Sequence, residues 1–252
     1  LERLAIKSTI HVSAHPNAGL PNEMGNYDQS AIEMAQQIGK YLEQGLINIV
    51  GGCCGTTPEH VKAIKRVAGK YNPRVIMPHI RTTRLSGLQS LGVKEATRLI
   101  QIGERTTVSG SARFKRCIEN EQYDKALEIA HQQIEAGADL LNISLDDGLI
   151  DTPRIMPHFL NLLSSEPDLA SAPFMIDSSS FEVLESSLKI LQGRAIVNSI
   201  SLKDGEELFL QQAKKLSDLG ANVVVMAFDE KGQGDTYERK IEICARAYEL
   251  WT

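Results

Sequence analysis

Apolar runs and amphipathic runs alternate along most of this chain. Residues 10–14, Ile-His-Val-Ser-Ala, predict a short strand. From Gln29 to Gln44, the residues Ile32, Ala35, Ile38 and Leu42 recur at helical spacing and Gly45 ends the pattern, which predicts a helix. Leu46–Val50 reads as the next strand and Pro58–Gly69 as the next helix. The periodicity weakens from Tyr71 to about Lys94, where Asn72-Pro73 and Met77-Pro78 interrupt regular structure. Within that stretch Leu85-Ser86-Gly87-Leu88 reads as one arm of a short hairpin, and the whole reads as an interdomain connector. From Thr97 the alternation resumes, with strands expected over 99–103, 138–143, 173–176, 195–200 and 221–227. Helices are expected over 123–135, 153–163, 181–191, 205–219 and 237–251, with Gly137, Gly193 and Gly220 as stops. The strands are nearly continuous apolar runs, as expected of parallel strands covered on both faces. Repeated strand–helix units of this length indicate a parallel α/β fold. A closed barrel of eight would need three units more than the five read after Thr97.

Composition narrows the class. With 252 residues, 42% hydrophobic and 23% charged, the chain can bury a substantial core. A formal net charge of -5 argues against a general surface for nucleic acid or anionic membrane. Cys53, Cys54, Cys117 and Cys244 do not read as a disulfide framework in a chain of this length, so a cytoplasmic protein is expected. No apolar run approaches membrane-spanning length. Leu1-Glu2-Arg3-Leu4 carries no initiator methionine and no signal-like apolar core, and reads as the middle of something longer.

In parallel α/β folds, polar chemistry gathers at the C-terminal ends of the strands. Here Glu104-Arg105-Thr106-Thr107 and Ser109-Gly110-Ser111 follow the first strand of the second series. Asn142, Ser144, Asp146 and Asp147 end the second, Asp177-Ser178-Ser179 the third, Asn198 and Ser199 lie in the fourth, and Asp229-Glu230 follow the fifth. Ser178 to Ser180 and Asp204 are expected to cap the helices that follow them. Asp177 and Asn198 are embedded in apolar strands, so each is buried or faces the mouth of the sheet, and a buried carboxylate needs partners. One carboxylate among uncharged donors and acceptors suits a flat, nitrogen-rich heterocycle with amide-like edges.

A second candidate lies nearer the N-terminus, at Gly51-Gly52-Cys53-Cys54-Gly55. Thr56 or Thr57 followed by Pro58 marks a helix start, so both thiols sit between a strand end and a helix N-terminus. Backbone N–H groups and the helix dipole favour thiolate there, and thiolate is the form that binds zinc. The alternative is a pair of ordinary buried cysteines beside a glycine turn. The histidines (His11, His15, His60, His79, His131, His158) lack metal-ligand spacing and read as structural or surface residues.

The ordered motifs resemble the cobalamin-dependent methionine synthase family, at the junction of its homocysteine-binding and folate-binding barrels. They are Val12-Ser13-Ala14 with Pro16-Asn17-Ala18-Gly19-Leu20-Pro21, the Gly51–Pro58 stretch, Ile102-Gly103-Glu104-Arg105-Thr106, and Ser165-Glu166-Pro167-Asp168. Ile176-Asp177-Ser178-Ser179, Ile196–Lys203 and Met226-Ala227-Phe228-Asp229-Glu230 complete the series. The resemblance implies an α/β fold of (β/α)8 TIM-barrel type: residues 1–70 the C-terminal part of a homocysteine- and zinc-binding barrel, 71–96 a linker, and 97–252 the first five units of a pterin-binding barrel. It implies methyl transfer from 5-methyltetrahydrofolate through cobalamin to homocysteine, with a cobalamin-binding domain as partner and no nucleic acid or membrane partner. Cys53 and Cys54 match two of the three zinc thiolates of the family, and the third has no counterpart here. Glu104, Gly110, Ser111, Ala112, Asp177 and Asn198 match folate-binding positions, and Asn198 is the expected catalytic group, its amide following charge on the pterin nitrogen that gains a proton. Three positions depart from the pattern: Thr107 stands for Asn, and Asn142 and Ser144 stand in a strand end that reads Asp-x-Asn in the family. A lost charged hydrogen-bond partner costs roughly 1.5–3 kcal/mol, so each change is expected to weaken folate binding about tenfold if nothing compensates. The chain alone is expected not to turn over.

Overall fold

The computed structural model describes residues 1–76, 82–93 and 99–251. The Met77-Pro78 break, His79, and the expected junction of connector and second domain at residues 96 and 97 lie outside these. The described residues form two compact units, one within Leu1–Arg81 and one within Thr82–Thr252.

The first unit runs α1 (Glu2–Lys7), β1 (Ser13–Ala14), α2 (Ala31–Glu43), β2 (Ile49–Val50) and α3 (Pro58–Ala68). Ser30 starts α2 with a capping box: Ser30 Oγ accepts the Glu33 N–H and the Glu33 carboxylate accepts the Ser30 N–H at 2.9 Å. The apolar face of α2 (Met34, Ile38, Leu42) packs on Val12, Ile47 and Ile64. Full burial of one such side chain contributes about 1.5–3 kcal/mol. β1 and β2 pair in parallel, Ser13 with Ile49 and Ala14 with Val50. Both are shorter than the sequence pattern suggests because their earlier backbone is committed elsewhere. The Ile47 carbonyl accepts the Arg74 N–H, and the Val12 N–H donates to the Asn48 side chain at 3.0 Å.

Arg74, which sequence pattern places in a connector, is buried and belongs to this unit. Its guanidinium donates to the carbonyls of Ala5, Ser8 and Ile10, and its own carbonyl accepts from Asn48 Nδ2 at 2.7 Å. One side chain thus ties the end of α1 and the segment after it to the start of β2.

The second unit opens with a hairpin, β3 (Arg84–Ser86) and β4 (Ser90–Gly92). Then come β5 (Ile102–Gly103), α4 (Ala112–Glu119), α5 (Tyr123–Glu135), β6 (Leu140–Ile143), α6 (Thr152–Ser165), α7 (Pro167–Ser171), β7 (Phe174–Asp177) and α8 (Phe181–Leu188). β8 (Ile196–Ile200), α9 (Glu206–Asp218), β9 (Asn222–Val225), β10 (Phe228–Asp229), β11 (Gly232–Gln233) and α10 (Tyr237–Trp251) complete it. The strands β5-β6-β7-β8-β9 form one five-stranded parallel sheet in sequence order, as the alternating pattern predicts. Leu141, Ile143, Ile176 and Val197 from the sheet pack with Phe114, Phe159, Leu160 and Phe209 from the helices.

The hairpin is a folded part of this unit rather than a plain connector. Ser86 exchanges backbone hydrogen bonds with Arg194, and the Leu88 N–H reaches the Ala170 carbonyl at 2.8 Å. Leu85 joins Leu140 and Met175 in a small core at the starts of β6 and β7. Gly87 makes this approach possible: a Cβ there would lie 2.3 Å from the Ala170 oxygen and 2.4 Å from the Ala172 oxygen. A depression of about 300 Å³ is lined jointly by Leu85 of the hairpin, Ile102 of the first strand and Val224 of the last, so the sheet curls about its inner face.

Some elements differ from expectation. α4 lies in a stretch that sequence pattern leaves as loop, although Phe114, Cys117 and Ile118 recur at helical spacing and all are buried. The short helix α7 and the β10–β11 hairpin are likewise additional. The last strand ends at Val225, because the Phe228 N–H turns back to the Met226 carbonyl and starts the hairpin. Among the described residues, no helix is long and apolar enough to cross a membrane.

Candidate functional site

The polar groups at the strand ends of the parallel sheet converge because neighbouring strands run in the same direction and nearly in register. Asp177, the last residue of β7, pairs with Asn198 of β8. Asn142 lies in β6 on the other side of β7, and Glu104 follows β5 directly. The Asn142 amide nitrogen donates to the Glu104 carboxylate at 3.1 Å and to the Asp177 carboxylate at 3.2 Å. Asn198, the β8 partner of Asp177, lies close enough for its side chain to favour the ionised Asp177 carboxylate. The four side chains therefore form one row, Glu104–Asn142–Asp177–Asn198, across adjacent strands.

Burial holds the Asp177 carboxyl above the usual carboxylate range, and the nearby negative charges of Asp146 and Glu104 push the same way. The hydrogen bond from Asn142 and the nearby Asn198 side chain oppose this by stabilising the ionised form. Asp177 and Asn198 open onto a cleft of about 410 Å³, which Ser144, Asp146, Ser199 and Lys203 also line. The walls of that cleft are mostly polar, in keeping with a ligand read by hydrogen bonds rather than by apolar contact.

Loops fix the rim. Asp146 accepts from Ser178 Oγ at 2.8 Å and from the Ser179 backbone and side chain at 2.6 and 2.8 Å. Ser178 and Ser179 are thus ties between the ends of β6 and β7, and Ser180 alone of the three caps α8. Gly205, not Asp204, precedes α9 as its cap, and Asp204 lines the cleft. Thr107 accepts the Gly110 N–H and donates to the Glu104 carbonyl at 2.9 Å, which closes the turn that carries Glu104. Thr107 and Ser144 pair across the extended ends of β5 and β6.

Of the expected folate positions, Asp177 and Asn198 face the cleft and Glu104 joins them through Asn142. Gly110, Ser111 and Ala112 are not among the residues that line it. Ser111 caps α4 by accepting the Phe114 N–H at 3.2 Å, and Ala112 is the first residue of that helix. Asn142 was expected as a lost carboxylate partner, but it keeps hydrogen bonds to both charged neighbours, each of a kind that contributes about 1.5–3 kcal/mol. That bridging role is what sequence reading missed, since it depends on which strands are adjacent.

The cysteine pair lies in the first unit, just after β2. Cys53 and Cys54 are exposed free thiols with sulfurs 3.8 Å apart. The Cys53 N–H donates to the Pro16 carbonyl and the Cys54 N–H to Asn17 Oδ1, so the loop after β1 shapes the thiol loop. Thr57 and Pro58 start α3 as the sequence predicts. His60 Nδ1 accepts the Thr57 N–H, so its Nε2 carries the proton and donates to the Gln29 carbonyl at 2.8 Å, a structural role. Tyr27 approaches the thiols closely. Burial, and then the neighbouring Cys54 and Cys53, raise its pKa. Gly55, with φ +77°, makes room for that ring, since a Cβ there would sit 2.3 Å from Tyr27 Cβ.

Two thiols cannot close a tetrahedral zinc site. Among the described residues, no group of three or more His, Cys, Asp or Glu side chains could hold a metal ion. The described residues therefore do not complete the zinc centre that the sequence motifs imply.

Residues 103–252 match the pterin binding enzyme family, and residues 1–68 match homocysteine S-methyltransferase. Among solved structures, the chain is similar to 7,8-dihydropteroate synthase from Vibrio fischeri ES114, at 15% identity over 67% of this chain and 61% of that one, with a TM-score of 0.45. A further likeness is to PhdJ bound to a substrate intermediate, at 10% identity over 96% of this chain and 74% of that one, with a TM-score of 0.36. The chain thus spans 61% of the length of the dihydropteroate synthase that it matches. With the first family match extending over more than half of its length, the chain belongs to the pterin binding enzyme family and carries a homocysteine S-methyltransferase segment ahead of it, the pairing found at the junction of the homocysteine-binding and pterin-binding domains of methionine synthase-like proteins.

Proposed function

We propose that this chain is part of an enzyme that moves a methyl group from 5-methyltetrahydrofolate to homocysteine, and that its second unit holds the pterin at the strand ends. The observation that carries this reading is the row Glu104–Asn142–Asp177–Asn198, with Asp177 and Asn198 facing a polar cleft. An ionised Asp177 accepts from the donor edge of a pterin, where an exocyclic amine stands beside a ring N–H. Asn198 offers both a donor and an acceptor, so it can follow a ring nitrogen that gains a proton as the methyl group leaves. The chain's contribution is to bind and orient the ring and to answer the charge that develops on it.

Cobalamin would carry the methyl group between the two substrates, bound by a partner domain in cis or in trans. Cys53 and Cys54 would supply thiolates toward a zinc that ionises homocysteine, with the remaining ligands coming from outside this chain. The described residues alone do not complete that metal's site. A second reading, pterin binding without transfer by this chain, is favoured by the same incomplete thiol set.

Calorimetric titration of the 252-residue chain with 5-methyltetrahydrofolate tests the reading, with Asp177→Asn as control. The expected result is saturable binding that weakens at least about tenfold in the variant, as loss of one charged hydrogen-bond partner predicts. No binding at millimolar ligand, or equal binding by the variant, would remove Asp177 from the pterin site. Binding without methyl transfer to added cob(I)alamin would favour the second reading.

A further inference from the structure

Asn142 deepens the pterin-site reading, on which its effect on the ligand rests. It occupies the strand position between the two carboxylates of the row, and it is buried. Its Nδ2 donates to both Glu104 and Asp177. Among the described residues, its Oδ1 is the only buried side-chain polar atom with no hydrogen-bond partner. Turning the amide over would set Oδ1 against two carboxylate oxygens, so the orientation with Nδ2 toward them is the one that chemistry allows. The amide therefore leaves its own oxygen unsatisfied in order to serve two acids at once. A residue present only to fill the strand end would have no such commitment.

We propose that Asn142 is the positioning residue of the strand-end site: its one amide group clamps Glu104 and Asp177 side by side and so aims Asp177 into the ligand cleft. The charge balance around Asp177 follows from this. Glu104 faces it from the end of β5 and Asp146 from the end of β6, both negative. Asn142 of β6 and Asn198 of β8 face it as neutral donors, and Lys203 lines the same cleft as the cation of its rim. An aspartate at 142 would place three carboxyl groups on three adjacent strands with no donor between them. At least one proton would then be held to higher pH. The asparagine instead favours the ionised Asp177, which is the form that accepts from ring N–H groups.

Two readouts on the full 252-residue chain test this, the first without any ligand. Carboxyl carbon NMR follows the titration of Asp177, with Asp177→Asn assigning the resonance. In Asn142→Asp the Asp177 midpoint is expected to rise by about 1 pH unit or more, as for a like charge at hydrogen-bonding distance. Asn142→Ala, which removes both donors and adds no charge, is expected to raise it less. It keeps the inference testable if the aspartate variant does not fold. The second readout is 5-methyltetrahydrofolate affinity against pH. Asn142→Ala, which leaves Asp177 unclamped at every pH, is expected to lose at least tenfold at both pH 6 and pH 9. An unchanged Asp177 midpoint in both variants, or full affinity kept by Asn142→Ala, would overturn the positioning role. If the parent chain binds no pterin while the midpoint still moves, the clamp stands and the substrate assignment fails.

Discussion

Asp177 holds its proton to higher pH in the folded chain than in the unfolded one, first because it is half-buried and then because Asp146 and Glu104 lie near. The folded state therefore binds more protons than the unfolded state between the ordinary carboxylate pKa and the raised one. Stability from this group falls as pH rises through that window, and the penalty is complete above it. Asp177→Asn removes the penalty, so it should raise the melting temperature at pH 8 while weakening ligand binding. The gain should vanish at about pH 3, below the unfolded carboxylate pKa. Scanning calorimetry at both pH values decides this, and a gain of equal size at both would contradict it. Asp177 and Asn198 were legible in the sequence because a polar residue inside an apolar strand demands a partner. Glu104 was legible as a strand-end residue and, through the family resemblance, as a folate-binding position, and Asn142 as a strand-end residue that departs from the family pattern. Their joint link to Asp177 needed the strand order β5-β6-β7, which no local pattern carries. The role of Tyr27 beside the thiols was hidden for the same reason, since it reaches Cys54 across a long stretch of sequence.

The elements that sequence pattern caught are those with a regular apolar pattern: α2 with its capping box and one buried face, and the apolar strands β6, β7 and β8. Those it caught only in part, or missed, lack an uninterrupted apolar pattern of their own. The β3–β4 hairpin has few apolar residues and folds against backbone carbonyls that Gly87 allows it to approach. α4 alternates basic and apolar side chains, so Arg113, Lys115 and Arg116 mask the face made by Phe114, Cys117 and Ile118. Arg74 makes the same point in the first unit. It sits beyond the last helix there, in a stretch without periodicity, yet its guanidinium satisfies carbonyls of Ala5, Ser8 and Ile10. Arg74→Met keeps much of the aliphatic stem and leaves those carbonyls without their donor. With each charge-assisted bond contributing about 1.5–3 kcal/mol, the first unit should lose roughly 3 kcal/mol or more. Limited proteolysis should then cut within residues 1–76 at lower denaturant than in the parent chain, and unchanged protection there would show the carbonyls to be adequately solvated instead.

At the scale of the whole molecule, the parallel sheet has two edges. Among the described residues, β5 is bonded only to β6 and β9 only to β8. Helices cover the outer face of the sheet but cannot satisfy strand-edge N–H and carbonyl groups, and an open edge is a template for another strand. The last strand presents apolar side chains at this edge: Val224 is 37% exposed, and Met226 just beyond it 44%. The alternation of strands and helices foretold the parallel sheet. It did not foretell the curl that brings Ile102 and Val224 to one depression, because curvature arises from strand twist and from the hairpin beneath. A net charge of -5 gives only modest repulsion between copies, so edge pairing should dominate self-association. Val224→Lys places a charge on the edge strand while leaving its pairing with Asn198 of β8 to the backbone. Sedimentation velocity at matched concentration should show fewer higher-order species for the variant than for the parent chain. Equal distributions would mean that association runs through another surface, such as the α10 side of the cleft lined by Val225, Cys244 and Trp251.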